Sequence, residues 1–289
     1  MSVAAPALGR RSGDPSDRVY RIERSRRDWL LVLSELWAYR ELLFFFVWRD
    51  VKVRYRQALL GALWVILQPF LTMIVFSVIF GHLAGISDPY KDPYPLFVFA
   101  GLLPWTYFSS CLAQSSTSVV GNSNLVTKVY FPRLIMPLAS TVVPIIDFLV
   151  AFLLLIGLFF YYGRTPHWHA VATPVFLGMA LMTALGVGLW LSALNVRYKD
   201  VPYTVPFLTQ LWLFASPVIY PVTLVPARWH WLLALNPMTG VIDGFRWAVL
   251  GRGVPHYSVF ATSAAVGFAL VVGGLWYFKR VERRFADVI

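Results

Sequence analysis

Six stretches of this sequence, residues 58–83, 96–120, 134–162, 171–194, 201–221 and 257–278, each run for about twenty positions or more with almost no charge. A helix of that length crosses a bilayer core of about 30 Å, and in hydrocarbon only a helix or a closed barrel satisfies its own backbone. Six crossings return the chain to the side on which it began. The basic residues say which side that is. Of 25 Lys and Arg, twelve lie in 1–57, two in 121–133, two in 195–200 and four in 279–289. Only Lys91, Arg164, Arg228, Arg246 and Arg252 fall on the opposite face, so the positive-inside bias predicts that both termini are cytoplasmic. The expected fold is an all-α integral membrane protein of six transmembrane helices.

Composition narrows the alternatives. With 58% hydrophobic and 13% charged residues, the chain has no room for a sizeable soluble domain. The net charge of +11 sits mainly in the expected cytoplasmic arm and tail, where anionic phospholipids attract it, so nucleic acid is not the expected partner. A single cysteine, Cys111, inside an apolar stretch, excludes a disulfide framework and a metal-finger spacing. Residues 1–27 hold too few large apolar side chains to pack and are expected to be a mobile basic tail.

Residues 28–57 are expected to form an amphipathic interface helix and a cationic collar before the first crossing. Trp29, Leu33, Leu36 and Trp37 share one helical face, and Ser34, Glu35 and Glu41 share the other. The collar at the cytoplasmic mouth is Arg49, Lys52, Arg54 and Arg56. Residues 58–289 then hold the spans and a cytoplasmic tail. Between spans five and six, residues 229–235 and 239–250 are half-apolar and too short to cross. A re-entrant helical pair on the extracytoplasmic face accounts for them. Prolines 69, 104, 137, 144, 174, 202, 206 and 217 run through or border the crossings, where neighbouring helices can take up the freed carbonyls.

The chemistry within the spans is sparse. Asp147 is the one ionisable residue well inside a span, with no intramembrane Lys, Arg or His in sight, which makes a poor ion-coupling site. None of the five lysines follows a glycine, so the chain lacks the core of a phosphate-binding loop and no cofactor is expected to bind it. His167 and His169 are the only close histidine pair and lack a neighbouring Cys, Asp or Glu, so no metal site is expected. Asp88 and Asp92 flank Lys91 in a Pro-rich turn and do not form a glycosidase pair. What remains is 48 aromatics. Tyr and Trp gather at headgroups by default, but Trp64, Phe70, Phe108, Trp190, Trp212 and Phe214 lie deep in the spans. Ring faces suit a passing sugar polymer; ordinary helix packing is the alternative.

The run Arg49-Asp50-Val51-Lys52-Val53-Arg54-Tyr55-Arg56, continuing into Leu60-Gly61-Ala62-Leu63-Trp64 and Gln68-Pro69, resembles the signature of type-2 ABC exporter permeases that move polysaccharides such as O-antigen, capsule and teichoic acid. Asn124-Leu125-Val126-Thr127-Lys128-Val129-Tyr130-Phe131-Pro132-Arg133 is similar to that family's cytoplasmic coupling segment, and Asn195-Val196-Arg197-Tyr198-Lys199-Asp200 to its second cytoplasmic loop. Ser216-Pro217-Val218-Ile219-Tyr220 and Asn236-Pro237 match the end of the fifth span and the outer gate. The resemblance implies a homodimer in a bacterial inner membrane, with two copies of a separate ATPase that binds ATP and Mg. A lipid-linked glycan would enter from the cytoplasmic leaflet between spans one and five. On that pattern Asn124, Lys128, Tyr130, Phe131, Pro132 and Arg133 press on the ATPase, Tyr220 joins the glycan path, and Trp229, Trp231, Phe245 and Trp247 close the outer mouth. A small-molecule or drug exporter of the same group is the nearest alternative reading, and an ion-coupled lipid flippase a more distant one.

Overall fold

The computed structural model describes residues 29–56, 59–86, 92–251, 257–282 and 285. The mobile tail expected over 1–27 lies outside them. The described chain is all helical: α1 (Trp29–Ala38), α2 (Arg40–Arg56), α3 (Leu59–Phe76, continued by a π-helical turn over Ser77–Leu83), α4 (Tyr94–Gly121), α5 (Ser123–Lys128), α6 (Ile135–Tyr161), α7 (Thr173–Arg197), α8 (Val201–Ala215), α9 (His230–Leu235), α10 (Pro237–Leu250) and α11 (Tyr257–Val281). Five helical stretches among the described residues are long and apolar enough to cross a membrane: Leu63–Leu83, Tyr94–Gly121, Ile135–Tyr161, Trp168–Arg197 and Tyr257–Val281.

The fifth expected crossing, 201–221, is divided. Its helix stops after 15 residues at Ala215, about 22 Å at 1.5 Å per residue and short of a bilayer core. Ser216 takes an extended backbone, and Pro217 follows with no N–H to continue the helix. The extended continuation nevertheless reaches the far end of α4. Asn195 at the end of α7 donates to the Ser116 carbonyl near the α4 C-terminus at 3.0 Å, and Tyr94 at the α4 N-terminus donates to the Ile219 carbonyl at 2.7 Å. Residues 201–219 thus run antiparallel along most of α4.

α4 is the most enclosed of the five long helices and α3 the least. Around α4 lies the main core, including Phe99, Leu103, Phe108, Phe148, Ile242 and Phe245. Lipid tails are as apolar as leucine, so close packing rather than expulsion from water holds such helices together. The α7–α11 crossing shows how. A Cβ on Gly186 would stand 2.6 Å from the backbone of Leu270, and one on Gly274 would strike the Gly186 carbonyl, so these two helices meet backbone to backbone through glycine.

A second, smaller core joins α2, the start of α6, the end of α7 and the end of α11 through Phe46, Phe131, Ile135, Val196, Phe278 and Phe285. The interface segment is not one helix. It breaks near Tyr39 into α1 and α2, although backbone bonds from Tyr39 to Glu35 and from Leu43 to Tyr39, each 3.1 Å, carry the chain across the join. Nor does α2 end at the margin of the bundle. Phe46 meets Phe131 just before α6 begins, whereas Arg54 and Tyr55 reach Asp147, twelve residues into α6. α2 therefore climbs beside the first half of α6, advancing about 13 Å from Phe46 to Tyr55.

Candidate functional site

The segment expected to couple to the ATPase, residues 124–133, is built from α5 and the extended strip after it. Val129 leaves the helix with φ −127° and ψ 134°, and in an extended backbone successive side chains point to opposite sides. Tyr130 is accordingly 95% exposed, while Phe131 is 5% exposed and lies 5.9 Å, ring to ring, from Phe46 of α2. Tyr130 and Phe131, both expected to press on the ATPase, are thus split: Tyr130 faces out with Val129, and Phe131 turns in. Asn124 and Lys128 are exposed. Arg133 donates to the Glu282 carbonyl and stands over the Phe285 ring at 5.7 Å, so the segment's end is fastened to the C-terminal end of α11. Burial pushes the Glu282 carboxyl above its usual range, with Lys279 and Arg133 pulling against that shift.

The cationic collar is partly neutralised. Arg49 pairs with Asp50 at 2.8 Å, Lys52 lies over the Trp48 ring at 5.4 Å, and Arg54 pairs with Asp147 at 2.5 Å. Arg56 falls in α2, with its side chain outside the described set. Asp147, expected to have no cationic partner, thus has one, and Tyr55 donates to its other oxygen at 2.5 Å. Burial and the hydrogen bond to Asp147 push the Tyr55 phenol well above its usual range. The sequence concealed this partnership because Arg54 comes before the first crossing, on a helix whose tilt no periodicity fixes.

At the opposite end of α4, α10 packs into the bundle, whereas α9 buries only Ala234 and leaves Trp231, Leu232 and Leu235 exposed. α10 is almost entirely buried. Asn236 accepts from its own Met238 N–H at 3.0 Å as the N-cap, accepts from Trp212 Nε1 at 2.9 Å and donates to Ser216 Oγ at 2.8 Å. Arg246, 5% exposed, donates to the carbonyls of Phe97 (3.1 Å), Pro217 (2.5 Å) and Val218, and its guanidinium covers the Phe97 ring at 3.7 Å. The Pro217 and Val218 carbonyls lie just past the point where α8 breaks, and Phe97 belongs to α4, so the arginine joins the broken end to the neighbouring helix. Gly101 belongs to the same joint, since a Cβ there would collide with the guanidinium. Neither Asn236 nor Arg246 was singled out as a structural joint in the sequence. The Asn-Pro pair opening a helix and a lone cation in an apolar piece were the available signals.

The aromatics do not line one surface. Phe108 and Phe245 are sealed in the main core, Phe108 against Trp212 at 5.0 Å and Phe245 against Phe148 at 5.9 Å. Trp190 stacks on Tyr277 at 4.8 Å, and Trp247 packs on His169 at 4.4 Å. Trp64 and Phe214 remain on exposed faces of α3 and α8, as do Trp229 and Trp231 before and on α9. Tyr220 is half-buried, with its hydroxyl 3.5 Å from the Phe214 carbonyl. Phe70 helps line an apolar cavity of about 640 Å³ between α3, the start of α4 and α6. Among the described residues no group of three His, Cys, Asp or Glu is placed to hold a metal.

The described residues thus form a helical bundle with five helices long and apolar enough to cross a membrane. The chain belongs to the ABC-2 type transporter family, whose model matches residues 41–250, so it is a permease subunit that works with an ATPase. It is 33% identical to an O-antigen export system permease protein RfbA of Myxococcus xanthus, over 89% of this chain and 99% of that protein. An RfbA of Klebsiella pneumoniae is 28% identical over 83% of this chain and 92% of its own length. The polysialic acid transport protein KpsM of Escherichia coli is 23% identical over 70% and 78%.

Proposed function

We propose that this chain is the transmembrane subunit of an ATP-driven exporter that moves a lipid-linked polysaccharide of the O-antigen class across a bacterial inner membrane. The observation that carries the reading is the near end-to-end similarity to an O-antigen export permease, 99% of whose length is covered. Capsule, teichoic acid and galactan are chemically related cargoes. Two copies of the chain form the conduit, since six crossings are too few to surround a polymer, and two ATPase subunits bind ATP and Mg beneath them. Residues 201–219 supply the fifth crossing in chain order and so complete six, supported by their antiparallel run along α4, and α9 with α10 forms a re-entrant outer gate. Both termini are cytoplasmic. Tyr130, with Asn124 and Lys128 on the same exposed segment, meets the ATPase. Trp64 on α3 and Phe214 on α8 face the glycan path, and anionic phospholipids meet the basic arm.

Inactivating the gene in its host tests the reading. Surface polysaccharide should disappear while lipid-linked polymer accumulates on the cytoplasmic side, and the intact gene should restore export. Normal surface polymer in the inactivated strain would refute it.

A further inference from the structure

α2 is held at two points that belong to different levels of the molecule. Near its middle, Phe46 is buried against Phe131 of the coupling segment, one residue after the exposed Tyr130. At its C-terminal end, Arg54 and Tyr55 grip the two oxygens of Asp147. The Asp147 side chain is 15% exposed and that of Arg54 37%. A carboxylate this deep in a span is costly without a partner, so the pair is held together more firmly than a surface ion pair. The next described helix after α2 is α3, the long helix least enclosed by the rest of this chain.

We propose that Asp147, Arg54 and Tyr55 are positioning residues that make α2 a strut, carrying displacement of the coupling segment through Phe131 and Phe46 to the start of α3. The inference rests on the reading of residues 124–133 as the ATPase-facing segment. It assigns the lone intramembrane acid a mechanical duty in place of proton coupling. Two ends are needed: with Phe46 held and Arg54 free, α2 would pivot and α3 would stay where it is.

The test uses the full complex of this chain with its ATPase in proteoliposomes, comparing R54L, D147L, the double variant R54L/D147L and the exchanged pair R54D/D147R. In R54L a carboxylate loses its partner in the bilayer, and in D147L a cation does. The double variant carries neither charge, so its thermal stability should recover towards wild type. Its export per complex should stay down by about tenfold, the scale of a lost coupling, with ATP hydrolysis retained. R54D/D147R restores the ion pair but leaves Tyr55 without its acceptor, since a guanidinium accepts nothing, so it should recover both in part. Wild-type export by R54L/D147L, or export by R54D/D147R no better than by the single variants, would overturn the strut.

A second measurement is independent of the cargo. Thiol labelling of Leu63→Cys, which is exposed near the start of α3, should change on nucleotide trapping, with the buried Cys111 as the background. The change should vanish when R54L/D147L is added. An equal response with and without the ion pair, or no response in its presence, would overturn the proposal whether or not the cargo is a polysaccharide.

Discussion

Trp212 on α8 donates its indole N–H to Asn236, the N-cap of α10, at 2.9 Å, and so ties the last helical turn before the Ser216 break to the first turn of α10. The same indole stands nearly perpendicular to the Phe108 ring, with centroids 5.0 Å apart. An exposed stacking face for a passing sugar was one expectation for Trp212. Its ring is instead half-buried, packed on Phe108 and hydrogen-bonded through its nitrogen.

Asn236→Ala removes the cap, the Trp212 acceptor and the bond to Ser216 together. A lost cap alone costs about 1 kcal/mol, and stranding the indole N–H adds about 1 kcal/mol or more. The thermal midpoint of the detergent-purified protein should fall, and Trp212→Phe should lower it by less than Asn236→Ala. Equal midpoints for Asn236→Ala and wild type would remove this joint from the account.

Arg246 invites a sharper substitution. Lysine keeps the charge but cannot present a planar fork to three carbonyls, and methionine leaves the Pro217 and Val218 carbonyls, which lie outside any helix, without this donor at about 1–3 kcal/mol for each group stranded. Arg246→Lys should therefore reach the membrane with a lowered thermal midpoint. Arg246→Met should be recovered mainly as protease-sensitive protein, and a protease-resistant Arg246→Met at wild-type level would contradict the assignment.

The coupling segment separates two neighbours. Tyr130→Ala should leave abundance and thermal midpoint unchanged while ATP hydrolysis by the complex loses its response to cargo. Phe131→Ala, which opens a cavity beside Phe46, should cost about 3 kcal/mol or more of stability. Exchange of these two phenotypes would mean that the segment is turned over.

Glu282 gives a pH dependence. Its carboxyl titrates above the ordinary value of 4.5 because it is buried. A raised folded-state pKa means that the folded form binds the proton more tightly. The stabilisation is therefore complete below the ordinary Glu value and is lost as pH rises through the raised one. Glu282→Gln, which mimics the protonated form, should raise the thermal midpoint at neutral pH and lose that advantage towards pH 4. An equal effect at both pH values would show that the side chain does not titrate differently on folding.

Hydropathy alone located five of the long helices to within a few residues, because an uncharged run of that length has no other stable solution in lipid. It overran α8, where Ser216 and Pro217 end the helix while the chain stays apolar through Tyr220. It also could not see orientation about a helix or a strip. Tyr130 and Phe131 are adjacent aromatics of similar hydropathy, and only the extended backbone at Val129 sends one out and the other in. Asp147 was legible as the single deep charge, but its partner lies 93 positions earlier on α2. The candidate site was thus legible as segments, and the pairings within it were set by tertiary packing.

The most direct measurement is translocation by the purified complex in sealed proteoliposomes, with lipid-linked polysaccharide on the ATPase side and a glycan-cleaving enzyme on the other. Polymer should become cleavable with hydrolysable ATP and stay protected with a non-hydrolysable analogue or with a proton gradient alone. Cleavage driven by the gradient without ATP, or lasting protection of the polymer while the same vesicles export a small molecule with ATP, would contradict the assignment as a polysaccharide exporter.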